Sequence, residues 1–424
     1  MASKKKTILM ISDHQLSSSG VGVQSRFMIE SLLRTGKYKF RCLGAAVKHV
    51  DYSILNIPPP ESGMWDDGDW IIKPIDGFGN KELIRMLIVS EKPDALFIFT
   101  DPRFFMHIFE IEDEIHQMCP IIYWNVWDSD PYPDYNKPIY DCIDSLVSHS
   151  HLTYSMQKEH YPRARFIPHF LPKNLFFPLP EDQIRAAREK ILGQDRVDDF
   201  VLFWVGRNAK RKRPGDLIDS WRLFLDMLEK EYGHRNATLL MHTDPYDQEG
   251  PNLVKIVEHF NLMKNVVFST DRVEFPQMNI FHNVADASIN TSFHEGFGVP
   301  VLESMSTGTP VIAPKTGGIT RQIVDHRDGT ENGIALDIEL RSLVGSQGIP
   351  YIYEDYVSAQ SFAKAIFKMY EMGPEKRKEL GKKALEYADF EFNIGKRMQE
   401  WDEEIEDTIL NWKERRKFWT CEKV

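Results

Sequence analysis

Cysteine is scarce. The 424 residues contain four, Cys42, Cys119, Cys142 and Cys421, with no CxxC spacing and no Cys/His pairing. Their scatter argues against a disulfide framework or a zinc site and makes a reducing cytoplasm the expected setting. No apolar run approaches the ~18 residues that a membrane span needs. A positive excess is lacking too: 52 Lys+Arg against 63 Asp+Glu leaves a formal charge of −11. That balance speaks against a general nucleic-acid binder, although it leaves room for a local basic groove. Internal repeats and low-complexity tracts are absent. What remains, 42% apolar and 27% charged residues, is the ordinary mix of a soluble globular chain, and the length fits two or three domains.

The opening MASKKKTILMIS is charged and then apolar, but the apolar stretch stops at Ser12 and Asp13. It is expected to form a first buried strand, not a signal peptide. Short apolar runs then alternate with helical patterns. Thr7–Ser12, Ala95–Phe99 and Ile121–Trp124 are expected strands, and Ser17–Gly22 a turn. Gln24–Arg34 reads as a helix, with Phe27, Met28, Ile29, Leu32 and Leu33 on its apolar face and Arg26 and Glu30 on the wet side. This alternation predicts βαβ units and parallel sheets, an α/β fold.

Pro168, Pro172, Pro178 and Pro180 then punctuate a helix-free stretch, a linker signature. A second α/β series follows. Its expected strands are Phe200–Val205, Ala237–His242, Ala285–Asn290 and Thr309–Ala313, and its expected helices are Gly215–Glu231 and one starting near Pro300. Residues 330–357 fit no simple period and are expected to be an irregular excursion. The tail is helical in composition, to about Glu371, from Pro374 to Tyr387 and from Asn393 to about Lys417. The expected domains are 1–170, a linker 171–180, 181–392, and a C-terminal helical segment 393–424.

Three segments carry candidate chemistry. The first, SFHEGFGVPVLESMSTGTPVIAP from Ser292 to Pro314, runs strand, Gly-rich loop, helix, turn, strand. Glu295 falls in the loop and Glu303 about one turn into the helix, so both are expected to face the crevice at the strand ends where open α/β sheets bind ligands. Gly296 and Gly298 permit close backbone approach, and a helix N-terminus favours an anion. The second, VGRNAKRKRP from Val205 to Pro214, follows a strand and carries five basic residues between Arg207 and Arg213. Arg207 and Lys212 are expected to converge on a pyrophosphate, while Lys210, Arg211 and Arg213 receive no role. The third, SSSGVGVQSR from Ser17 to Arg26, places Gly20 and Gly22 after the first strand, in a tight turn whose N–H groups are expected to face the crevice, either as donor contacts or as a plain turn. It lacks the third glycine of the dinucleotide fingerprint, and no acidic residue ends a clear second strand, so hydride transfer is not the first choice.

Gly20-Val21-Gly22, Arg207 with Lys212, the EGFGVPVLE element from Glu295 to Glu303, and Thr316-Gly317-Gly318 together resemble the GT-B glycosyltransferases, specifically retaining glycosyltransferase family 4. The resemblance is strongest from about Val201 to Gly333. It implies two Rossmann-like domains facing across a cleft, the second holding a nucleotide-sugar donor and the first mostly the acceptor. Glu303 would bind the donor ribose and Glu295 the transferred sugar. Arg207 and Lys212 would neutralise the diphosphate, helped by backbone N–H groups near Phe297, Gly298 and Gly318. The last helix would cross back to brace the first domain, and the setting would be cytoplasmic, of a host cell if the chain is phage-encoded.

One departure from the family pattern concerns the first domain. Many members carry a histidine after a central strand, where this chain has Trp124-Asn125-Val126-Trp127-Asp128. Asp128 is the candidate substitute, and His149, His151 and His169 are expected to be structural or acceptor-side. Asp128-Ser129-Asp130 is also a DxD string, which binds a divalent metal in GT-A enzymes. Here the basic segment would do that work, so the string is read as a turn before Pro131, with no metal and no cofactor beyond the donor itself. Trp65, Trp70 and Trp124, with the aromatics of Asp128–Tyr135, suggest a ring-lined acceptor side, with Trp124 better read as core. A faint likeness to phage-encoded transferases adds hydroxylated DNA bases to glycans and lipids as acceptors. The competing readings are a GT-B-like nucleotide-sugar epimerase, a sugar phosphorylase, for which no cofactor lysine or phosphate motif stands out, and a non-catalytic nucleotide-sugar-binding subunit.

Overall fold

A computed structural model describes residues 4–416, so Cys421 and the predicted helical residue Lys417 lie outside the described residues. The chain divides into two compact units. One comprises the residues up to Trp127, Tyr132–His169 and the chain from Gly395 onward; the other comprises Asp128–Pro131 and Phe170–Ile394. Asp128, expected in the first half, thus groups with the second unit. No described helix is long and apolar enough to cross a membrane.

The first unit is built on an eight-stranded sheet: β1 (Lys6–Asp13), β2 (Tyr38–Ala45), β3 (Leu55–Asn56), β4 (Trp70–Pro74), β5 (Ala95–Thr100), β6 (Ile121–Asn125), β7 (Ser145–Ser148) and β8 (Arg165–Phe166). Their order is β3-β4-β2-β1-β5-β6-β7-β8, parallel except for β3 against β4. β5 and β6 are buried at every residue, which is why they read as unbroken apolar runs: a parallel sheet is covered on both faces.

Helix α1 (Gly20–Leu33) follows β1. The expected glycine turn is in fact the first turn of this helix, because Ser19 supplies the cap: its hydroxyl accepts from Gly22 N at 3.0 Å and donates to Asp13 Oδ2 at 2.6 Å. Gly22 is required by space, since a Cβ there would lie 2.4 Å from Ser17 Oγ and 2.5 Å from the His14 carbonyl oxygen. Arg26 and Glu30 pair at 2.8 Å on the outer face, as their spacing predicts. Trp70 and Trp124 are fully buried, and His149 and His169 are buried beside one another, so this part of the expected aromatic acceptor side is core.

The second unit carries a six-stranded parallel sheet: β9 (Phe200–Val205), β10 (Ala237–His242), β11 (Val266–Ser269), β12 (Ala287–Ile289), β13 (Val311–Pro314) and β14 (Ile334–Leu336). The order β11-β10-β9-β12-β13-β14 is the doubly wound one, and it reverses between β9 and β12. Residues 167–180 contain neither helix nor strand. α2 (Pro214–Tyr232) follows β9, α3 (Phe275–Val284) precedes β12, and α4 (Val299–Ser306) links β12 to β13. The stretch expected to be irregular after residue 330 instead contains β14 and an antiparallel hairpin, β15 (Leu340–Val344) with β16 (Ile352–Tyr356). Its pattern was illegible because Leu340 and Leu343 are exposed while Asp355 is buried, the reverse of what strand periodicity uses.

The last helix, α5 (Ile394–Arg415), buries Arg397, Trp401, Glu404, Ile405, Thr408 and Trp412, one stripe at helical spacing. Within the first unit, the Trp401 ring meets Phe97 at 5.2 Å and Trp124 at 5.0 Å. Tyr38 Oη donates to Asp402 Oδ1 at 2.7 Å, and Ser145 Oγ donates to Glu404 Oε1 at 2.6 Å. Truncating a buried tryptophan leaves a large cavity, so Trp401→Ala is expected to destabilise the first unit by about 3–5 kcal/mol. Denaturant unfolding followed by tryptophan fluorescence checks it; an unchanged midpoint contradicts this packing.

Candidate functional site

The loops that leave β9 and β12 emerge from adjacent parallel strands, on the two sides of the point where the strand order reverses. After Gly206 the first loop is pinned by buried Asn208, whose amide donates to the carbonyls of Pro251 (2.8 Å) and Pro245 (3.3 Å). It then makes a single 3₁₀ turn, Lys210–Lys212, and passes through Arg213 at φ +53° before Pro214 opens α2. Arg213 is structural: Nε pairs with Asp216 at 2.8 Å, Nη1 donates to the Val357 carbonyl at 2.8 Å, and the guanidinium lies over Phe293 and Tyr356.

The second loop is tied to the first through backbone. Phe293 N donates to the Arg211 carbonyl at 2.9 Å, and Thr291 Oγ1 donates to the Lys212 carbonyl at 2.8 Å. These two bonds bring Glu295 onto the basic turn. Lys212 Nζ pairs with Glu295 Oε2, Arg211 Nη1 reaches the same oxygen at 3.2 Å, and Ser292 Oγ donates to it at 3.2 Å. Burial would raise the Glu295 carboxyl, but Lys212 and Arg211 overcome that and hold it below its usual range. Burial also draws the Lys212 ammonium down, more than Glu295 lifts it, and Arg211 adds to the lowering.

Arg207 does not join this cluster. Its guanidinium turns to the 244–250 loop, with Nε 2.7 Å from Asp247 Oδ2 and Nη1 3.1 Å from Glu249, and its side chain is 60% exposed. The residue that shares Glu295 with Lys212 is Arg211, which spacing left without a role.

Gly298 stands at φ +86° as the N-cap of α4, a conformation that favours glycine. Gly317 and Gly318 are needed for a different contact. A Cβ on Gly317 would lie 2.2 Å from the Glu295 carbonyl oxygen, and one on Gly318 would lie 2.2 Å from that of Gly296. Gly318 N already donates to Glu295 O at 2.9 Å. The Gly318 N–H expected at the phosphate is therefore committed to the loop itself. Phe297 is buried, with its ring 5.5 Å from Phe392.

Glu303 is also buried, but on different partners. His282 Nε2 lies 3.1 Å from Glu303 Oε2, and His282 Nδ1 lies 2.8 Å from Ser304 Oγ. The two glutamates of the sequence element thus stand in separate polar networks, one cationic and one imidazole-based. Asp128 faces His294, with Nδ1 and Oδ2 3.2 Å apart. His294 is the neighbour of Glu295 in the most informative motif, and its position there was the available signal for it.

Residues 188–387 match the sequence model of the glycosyl transferases group 1. Over 146 residues, 34% of each chain, the protein is 37% identical to a D-inositol 3-phosphate glycosyltransferase of Pseudarthrobacter chlorophenolicus. Over 162 residues, 36% of this chain and 38% of the other, it is 33% identical to a trehalose synthase of Thermococcus litoralis. The match thus spans little more than a third of the length of these curated relatives. Anabaena HepE in complex with UDP and glucose superposes with a TM-score of 0.66 at 16% identity, covering 95% of this chain and all (100%) of the other. A sucrose-phosphate synthase of Thermosynechococcus elongatus gives 0.68 at 16% identity, over 94% and 98%. The fold is GT-B: two Rossmann-like parallel-sheet units with C-terminal helices, as the resemblance implied.

Because the depressed carboxyl of Glu295 contributes stability above its unfolded value and loses it as pH falls through the folded one, its cation partner sets acid tolerance. Lys212→Met is expected to cost about 3 kcal/mol by leaving a buried carboxylate half-compensated. It also lets burial raise that carboxyl, so protonation relieves the native state and the deficit relative to wild type is largest near pH 8 and shrinks as pH falls. Thermal melts from pH 3 to pH 8 check the sign; a parallel drop at every pH contradicts it.

Proposed function

We propose that this chain is a cytoplasmic, retaining family 4 glycosyltransferase that moves a sugar from a nucleotide-diphosphate sugar to a hydroxyl acceptor, with no metal. The observation that carries this is the convergence of Lys212 and Arg211 on one carboxylate oxygen in the loops that follow the adjacent strands β9 and β12. Two cations fixed around an anionic oxygen at the strand ends suit the diphosphate of an activated sugar. The group 1 match over residues 188–387 and the UDP and glucose bound to the structurally similar HepE support the same donor class.

The chemistry follows from charge. Breaking the sugar–phosphate bond leaves negative charge on the distal phosphate and positive character on the sugar. Lys212 and Arg211 stabilise the first without reorganising when the bond breaks, an effect worth several kcal/mol in a dry site. Arg207 joins them only by exchanging Asp247 for phosphate; its present exposed pair is worth at most about 1 kcal/mol, so the exchange is cheap. Glu303 accepts from the ribose hydroxyls, with His282 holding its carboxylate in place. Glu295 meets the transferred sugar, the backbone near Phe297, Gly298 and Gly317 lies along the diphosphate, and Asp128 takes a sugar hydroxyl. The acceptor enters on the leaving-group face, and the departing phosphate takes its proton, so no strong protein base is needed. Both carboxylates of the DxD string already face His294 and Arg341, which supports the metal-free reading.

A panel of nucleotide sugars, read by thermal shift and by release of nucleoside diphosphate, tests the proposal. Transfer or slow hydrolysis supports it; an isomerised donor indicates an epimerase, and stabilisation without turnover a binding subunit. Glu303→Ala is expected to weaken nucleotide binding roughly tenfold, about 1.4 kcal/mol. Lys212→Ala, assayed below its melting temperature, is expected to lower kcat by roughly 10²-fold with a smaller effect on binding. Equal, small effects of both substitutions contradict these roles.

A further inference from the structure

The acidic string Asp128-Ser129-Asp130 and the hairpin after residue 330 meet within the second unit. Arg341, on β15, pairs through Nη1 with Asp130 Oδ2 at 3.0 Å and through Nε with Asp355 Oδ1 at 2.8 Å. Tyr353 N donates to the Asp130 carbonyl at 2.9 Å. Asp355, on β16, is buried; its second oxygen accepts from Thr316 Oγ1 at 2.6 Å, and its N–H donates to the Phe293 carbonyl at 2.9 Å. The hairpin is therefore fastened on one side to the 128–131 segment. On the other it is fastened to Phe293 and Thr316, which flank the Glu295 loop and the Gly317–Gly318 turn.

The fastening has a chemical consequence at His294. Asp128, two residues from Asp130, accepts at Nδ1 of that ring, 3.2 Å away. Of the two neutral tautomers, a carboxylate at Nδ1 selects the one with its proton there, which has Nε2 as an acceptor. His294 directly precedes Glu295, and Asp128, the partner of its ring, acts electrostatically on Arg211, Lys212 and Glu295, so the ring borders the cationic cluster.

We propose that the β15–β16 hairpin is a positioning device: Arg341, bridging Asp355 and Asp130, holds Asp128 against His294, so that Nε2 of His294 accepts a hydrogen bond from a hydroxyl of the bound sugar or acceptor. The inference rests on the glycosyltransferase reading for its substrate, while the tautomer it requires is independent of that reading. It supplies from the donor unit a histidine of the kind the first half of the chain lacks. Arg341 acts only through Asp130 and Asp128. A lysine there keeps the charge but has one nitrogen in place of the fork that spans two carboxylates.

The test uses the full chain as wild type, Arg341→Ala, Arg341→Lys and Asp128→Asn. It reads kcat and KM for donor turnover, UDP affinity by calorimetry, melting temperature, and the His294 ring nitrogens by ¹⁵N NMR. Expected are a wild-type ring protonated at Nδ1 and loss of that signature in Arg341→Ala and Asp128→Asn. In Arg341→Ala, kcat should fall by roughly 10²-fold, the scale of a misplaced reacting group, with UDP affinity within about twofold. Arg341→Lys should recover only part of both. A wild-type ring protonated at Nε2 overturns the proposal, as does an unchanged ring in Arg341→Ala, or a kcat loss matched by loss of UDP affinity and melting temperature. If the wild type neither binds UDP nor turns over any nucleotide sugar, the enzymatic reading fails, and the ring tautomer still decides the positioning role.

Discussion

A carboxylate removed from water must have its countercharge built into the surrounding chain, and Glu295 is the residue on which the second unit is organised. Two cations and a serine hydroxyl meet one of its oxygens. Such a cluster is a poor way to gain stability, because desolvation consumes most of the Coulombic attraction. Under the proposed function, cations held this way would meet the anion that develops as the sugar–phosphate bond breaks. The surrounding features serve that fixity. Two backbone-directed bonds, from Phe293 to Arg211 and from Thr291 to Lys212, lock the loops together. Gly317 and Gly318 allow a third loop to lie directly on the Glu295 backbone, where any side chain would force it away.

Glu303 shows the same logic with different chemistry. Its partner is neutral or charged according to protonation, and it is anchored in turn by a serine on the same helix as the glutamate. Seven residues of separation thus deliver two buried acids into different electrostatic settings. One is met by a lysine and an arginine; the other is held by an imidazole that leaves hydrogen-bonding capacity on the carboxylate. Acids of one type are suited to unlike tasks by such differences in surroundings.

The strands were legible because both sheets are parallel and covered on both faces, so ALFIF and FVLFWV stand out as unbroken apolar runs. The tail helices were visible through their composition, and the helix after β1 through its apolar spacing. The glutamate element was visible because its glycines sit at positions of special geometry, Gly298 at φ +86° among them. Side-chain direction was not legible. Arg207 and Arg211 are both basic residues in one loop, and only the placement of Asp247 opposite the former decides which cation meets Glu295. The hairpin escaped for a related reason: polar ties to Asp130, Phe293 and Thr316 help to hold it, and such ties leave no period in the sequence.

The return of the last helix to the first unit means that the order of synthesis and the order of packing disagree. A ribosome delivers Phe97 and Trp124 early, then the whole of Phe170–Ile394, and only afterwards Trp401, the ring that packs against both. During translation the amino-terminal sheet therefore waits with apolar surface uncovered while its neighbour is made. An intermediate of that kind is aggregation-prone and depends on chaperones or on fast completion of the chain. Truncating the carboxyl end would leave that interval permanent.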